Sequence, residues 1–188
     1  KLGDEAMNAV SVAGLTFPLI FFLSSFGIGF VVAGTALISQ FKGAGTPGMM
    51  KKVVGQFILI LIAFSIIFLS FSFIFLDSIL GLLHVPQEIF EVSKQFISYI
   101  LVGVLFMFIF LTYQSFAHGL GDTISPMKIQ IISVSLNVIL DPIFIFGIGF
   151  MPRMETVGAA QATLISRIVA AILAVYFLKK KTKHIIPN

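Results

Sequence analysis

Charged residues vanish from this chain over five long apolar stretches. The first lies between Glu5 and Lys42, with its core at about 10–33, and the second covers about 53–76 without a charge. The third covers about 95–117, again uncharged. The fourth, about 129–150, holds Asp141 as its one charge, and the fifth, about 157–178, holds Arg167 alone. A bilayer core takes roughly 20 apolar residues in a helix. Backbone in lipid must satisfy its own hydrogen bonds, and these runs are too long for barrel strands, so all five are predicted as helices. Turn-forming residues separate them at Gly43-Ala44-Gly45-Thr46-Pro47-Gly48, at Gly119-Leu120-Gly121-Asp122 with Pro126, and at Met151-Pro152-Arg153. No linker, low-complexity tract or internal repeat divides the chain. The expectation is an all-α integral membrane bundle of about five helices, one transmembrane lobe over 1–188 with no separate soluble domain.

Loop charge orients the bundle. The Phe41–Lys52 loop holds Lys42, Lys51 and Lys52 and no acid, and the tail holds Lys179, Lys180, Lys181 and Lys183. Both are expected on the cytoplasmic side of a plasma membrane. The Asp77–Lys94 loop, with Asp77, Glu88 and Glu91 against Lys94, is expected outside, as is the short Arg153/Glu155 loop. The near-neutral His118–Lys128 loop falls inside by alternation. Five crossings place Lys1 outside. A cytoplasmic N-terminus therefore calls for one further helix before Lys1, and a six-helix unit.

Composition narrows the function. The chain is 58% hydrophobic and 11% charged, with a mean hydropathy of +1.09, too little polar surface for a soluble domain. The net charge of +4 sits at the ends of apolar runs, where it serves topology and not nucleic-acid binding. There is no cysteine, hence no disulfide and no thiolate metal site. The 22 Phe and three Tyr must supply any aromatic belt, because Trp is absent.

Asp141 carries the most information. It lies nine residues from Phe150, about 14 Å at helical rise, which predicts a place near the midplane. A carboxylate there is costly and marks ion or proton pathways. One that gains and loses a proton as the protein changes shape can couple protons to transport. The structural alternative is a neutral acid bonded to nearby backbone, where Pro142 frees the carbonyl of Val138. Asn137 stands one turn before Asp141 on the same face, either as a second site residue or as an interhelical hydrogen-bond former. Arg167 is predicted at similar depth on the antiparallel neighbour, with Thr163 four residues before it on a shared face. It either pairs with Asp141 or faces another cavity. Two small-residue stripes, Ser25/Gly29/Ala33 and Gly158/Ala162, read as helix-packing surfaces. Gly119-Leu120-Gly121-Asp122 lacks the third glycine and the strand context of a nucleotide loop. His84, His118 and His184 are scattered, and no nucleophile–base arrangement occurs, so an enzyme is not expected.

These residues also carry a family likeness. His118-Gly-Leu-Gly-Asp-Thr-Ile-Ser-Pro-Met127, Asn137-Val-Ile-Leu-Asp-Pro-Ile-Phe144 and Gly158-Ala-Ala-Gln-Ala-Thr163 resemble the MATE (multidrug and toxic compound extrusion) transporters. Leu2-Gly-Asp-Glu-Ala6 and Gln40-Phe-Lys-Gly-Ala-Gly45 fit as well. The resemblance implies a twelve-helix antiporter of two six-helix lobes that expels organic cations or other amphiphiles against inward H⁺ or Na⁺. This chain would be helices two to six of its N-terminal lobe. Asn137 and Asp141 match the family's cation-site positions and Thr163 a polar position beside them, so Na⁺ at Asp141 and Asn137 is the one metal ion to consider. No cofactor is implied beyond the coupling ion. The implied partners are a first helix, a C-terminal lobe, a small amphiphilic substrate and the lipid bilayer, with no nucleic acid. Two other readings stay open: a lipid-linked oligosaccharide flippase of the same superfamily, towards which Arg167 points, and a non-transporting membrane scaffold, which leaves Asp141 unexplained.

Overall fold

The computed structural model describes residues 2–82, 85–149 and 152–185. They form five α-helices: α1 (Leu2–Gly43), α2 (Pro47–Leu82), α3 (Gln87–Gly119), α4 (Ile124–Phe146) and α5 (Glu155–Ile185). Each contains a span long and apolar enough to cross a bilayer. Most helices run past their apolar cores, because polar residues beyond the lipid can continue the backbone ladder. Lys51 and Lys52 ride on the start of α2, and Asp77 and Lys94 lie within α2 and α3 instead of a loop. There Lys94 Nζ pairs with Asp77 Oδ1 at 2.6 Å. The fourth helix ends early. Gly147 adopts a left-handed φ of 69° and caps α4 after Phe146, a conformation glycine takes without a Cβ penalty. The predicted end at Phe150, like His84, lies outside the described residues.

Helix α3 is the hub and packs against all four other helices. Its side chains Leu101, Val104 and Phe108 are buried with Leu61 and Leu80 of α2. Phe64 of α2 gathers rings from two other helices, with centroids 5.4 Å from Phe26 and 6.3 Å from Phe30 of α1 and 5.9 Å from Phe108 of α3. Outward residues such as Leu59, Ile67 and Ile74 remain 70–75% exposed, as a lipid-facing surface requires. Helix α4 leans mainly on α5 and barely on α3, which leaves a groove over α3 between α1 and α4.

The α1–α3 seam does not use the expected small-residue stripe. Ser25, Gly29 and Ala33 are exposed, and a Cβ on Gly29 would meet nothing within 4 Å. The close approach runs along the opposite face. A Cβ on Gly27 would lie 2.6 Å from Leu111 Cδ1, and one on Gly34 would lie 2.9 Å from Ser115 Cβ. Gly27 is two residues from both Ser25 and Gly29, about 200° around the helix, so the two sets cannot share a face. The Gly158/Ala162 stripe does pack: both residues are buried, and a Cβ on Gly158 would sit 2.7 Å from the Phe144 carbonyl.

Candidate functional site

Two cross-links fix the antiparallel register of α4 and α5. Ser133 Oγ donates to Ser166 O at 2.9 Å. One turn further along α4, Asn137 Nδ2 donates to Thr163 Oγ1 at 3.5 Å. The same Nδ2 donates to Asp141 Oδ1 at 3.2 Å, across the four-residue spacing of one helix face. Thr163 Oγ1 donates to its own helix at Ala159 O, 2.9 Å away. Asn137 therefore bridges a carboxylate and a hydroxyl on two helices, all three side chains half-buried.

The orientation of the Asn137 amide follows from its partners. Turned over, it would offer an oxygen beside those of Asp141 and Thr163, a donor set suited to a hard cation. A single carboxylate matches the charge of H⁺ or Na⁺ better than that of a divalent ion. Among the described residues no group of three His, Cys, Asp or Glu could hold a metal.

The early end of α4 changes the depth of the site. Asp141 lies about 8 Å from the end of its helix at Phe146 and Asn137 about 14 Å. The amide, not the acid, is nearer the middle of the span.

Arg167 does not pair with Asp141. No described carboxylate forms an ion pair with it; the described pairs are Lys94–Asp77, Arg153–Glu155 and Lys181–Asp122. The Ser133–Ser166 and Asn137–Thr163 links set Arg167 level with Ser133, two turns or about 12 Å along α4 from Asp141. The expected equal depth rested on apolar lengths, which carry no register. Four residues past Thr163 also rotate Arg167 by about 40°. Its Nη1 points to α3, where it donates to Ile100 O at 3.5 Å.

A second polar cluster escaped the sequence reading. At the end of the bundle where α4 begins, Asp122 Oδ1 accepts from Ser125 N at 2.9 Å and Oδ2 accepts from Ser125 Oγ at 2.5 Å. Lys181 of α5 pairs with the same carboxylate, and Lys42 of α1 donates to Leu120 O at 2.8 Å. The local half was readable as an acidic residue three positions before a serine at a helix start. The Lys181 half depends on tertiary placement.

The MatE family model matches residues 1–143. The chain belongs to the MatE family. It is 32% identical over 183 residues to "Probable multidrug resistance protein YoeA" of Bacillus subtilis, across 97% of this chain and 39% of the relative. It is 31% identical over 178 residues to the "FAD transporter" of Shewanella oneidensis, across 95% of this chain and 39% of the relative. The chain thus spans 39% of the length of these MATE relatives. Among solved structures, a MATE protein crystallised in a bent conformation superposes with a TM-score of 0.86 at 23% identity, across 95% of this chain and 39% of that one. That likeness establishes the MATE fold for the five helices. This MATE chain is a multi-pass membrane protein, and its relatives are transporters.

Proposed function

We propose that this chain forms the ion-coupling part of a plasma-membrane exporter that moves small amphiphilic or cationic organic compounds outward in exchange for H⁺ or Na⁺. The observation that carries the reading is the Asn137 bridge between Asp141 and Thr163. An intramembrane carboxylate tied through one amide to a second helix gives ion binding a route to the α4–α5 seam. A proton or Na⁺ at Asp141 competes for the oxygen that Asn137 now donates to, so ion binding frees the amide that also meets Thr163 of α5. Pro142, inside α4, leaves Val138 O without its intrahelical donor and gives that helix a place to bend. Lys42, Lys51, Lys52 and Lys179–Lys181 face the cytoplasm in this reading.

The test uses the complete protein in liposomes with an imposed H⁺ or Na⁺ gradient and ethidium as cargo. Asp141→Asn is expected to abolish gradient-driven ethidium movement at unchanged insertion and monodispersity. Transport by Asp141→Asn at the unmodified rate would overturn the assignment.

A further inference from the structure

We propose that a buried water molecule bridges Arg167 of α5 to Ser24 of α1 and so satisfies the arginine within the membrane span. The position of Arg167 is costly. It lies near the middle of the Glu155–Lys181 span, about 18 Å from one end and about 21 Å from the other. A guanidinium at that depth is retained where an opposite charge, backbone carbonyls or water meet it. No described carboxylate forms an ion pair with it. It carries five N–H donors, yet the one bond it makes among the described residues is the 3.5 Å contact to Ile100 O, a long geometry for N–H···O. Buried donors left unmet are destabilising, so a polar partner is required.

The void that Arg167 lines, where α1, α3 and α5 meet, has a volume of about 10 Å³. That is about one water-sized sphere. Its walls divide by chemistry: Ile20, Val104 and Met107 are apolar, whereas Ser24 and Arg167 bring polar side chains to it. A buried water needs about two to four polar partners. Arg167 has N–H groups to donate to the water oxygen, and Ser24 Oγ can accept one of its hydrogens. The Ser24 hydroxyl makes no hydrogen bond among the described residues, while its neighbour Ser25 turns back onto Phe21 O at 2.9 Å. The guanidinium is held against Gly103 of α3, where an added Cβ would come within 3.0 Å of Nη1 and 3.2 Å of Cδ. The missing side chain is what lets the arginine approach α3 so closely. Helix α1 packs little against α5 directly, and a bridging water is nearly as favourable in enthalpy as a direct hydrogen bond. The water would therefore tie α1 to α5 across the edge of α3, deep in the span.

The water site does not rest on the exporter reading, which can fail without moving any of the readouts below. The test is an experimental structure of the complete protein, at a resolution that shows ordered water, joined to melting measurements on variants. A density peak is expected within about 2.7–3.2 Å of both Ser24 Oγ and an Arg167 nitrogen. Ser24→Ala is expected to lower the melting temperature by about 1–3 °C in the protein that keeps Arg167. In an Arg167→Met background, which removes the donors, Ser24→Ala is expected to leave melting unchanged, because a shared water couples the two positions. If Arg167→Met does not insert, Arg167→Leu gives the same comparison, and the density alone decides if neither inserts. The absence of a peak would overturn the proposal, as would a peak that contacts Arg167 but not Ser24. A carboxylate from outside these five helices seated on Arg167 in place of the water would overturn it too. So would equal lowering of the melting temperature by Ser24→Ala in both backgrounds, or no lowering in either.

Discussion

The α4–α5 seam can be opened by one methyl group. At Gly158 an added Cβ would lie 2.7 Å from both C and O of Phe144, and these are backbone atoms that no rotamer change can move away. Ordinary contact begins at 3.4 Å, so the helices must separate by about 0.7 Å at that point. Overpacking of this kind costs about 1–3 kcal/mol. In the longer complete protein that lowers the melting temperature by less than about 2–4 °C per kcal/mol, the response of a domain of about 150–250 residues. The Asn137–Thr163 contact, already at 3.5 Å, lies nearest the displaced end and would be stretched beyond hydrogen-bonding range. The Ser133–Ser166 bond at 2.9 Å lies further away and should survive. Gly158→Ala in the complete protein is therefore expected to lose thermal stability and ion coupling together. The assay is retention of the monodisperse peak in detergent after stepwise heating, with ethidium transport measured alongside. Gly29→Ala is the control: its Cβ meets open space within helix α1, so replacing glycine should leave stability unchanged or raise it by up to about 1 kcal/mol. A Gly158→Ala protein that melts with the unmodified one, or a Gly29→Ala protein that melts equally early, would refute the reasoning.

Two further outcomes follow from the ends of the helices. With no cysteine in the chain, Lys51→Cys in a cysteine-free complete protein is expected to react with an impermeant maleimide only after the cells are permeabilised, and labelling of intact cells would reverse the topology. At the Asp122 cluster, Asp122→Ala removes both the Ser125 cap and the Lys181 partner and should cost about 1–2 kcal/mol. Lys181→Met removes only a partly exposed ion pair and should cost about 1 kcal/mol or less; melting in the reverse order would contradict the assignment of the cap as the main contributor.

What could be read from the sequence divides by range. The five helices follow from apolar length, a local property that the bilayer enforces. The closeness of Asn137 and Asp141 follows from four-residue spacing, which the helix alone dictates. The Gly158/Ala162 contact also emerges from spacing, while Ser25/Gly29/Ala33 shows that the same pattern can face outward when a neighbouring face carries Gly27 and Gly34. Arg167 failed for a different reason. Its depth relative to Asp141 depends on how α4 and α5 slide past each other, and that register is set by Ser133, Ser166, Asn137 and Thr163 acting across the interface. Its turn towards α3 depends on Gly103, distant in sequence and ordinary in appearance.

The hub position of α3 constrains how the bundle is made. Helices α1 and α2 touch each other far less than each touches α3, and the Phe64 ring cluster is incomplete until Phe108 arrives. During synthesis the α1–α2 hairpin enters the bilayer before α3, which each of its helices touches more, has been made. Its packing against α3 is complete only once Gly119 has been made. Helix α4 repeats the problem, since α5, its main partner among the described helices, follows it. Assembly is thus gated twice by elements that come late in the chain, and slowing synthesis after α2 or after α4 should expose the nascent protein to membrane proteases at those two points.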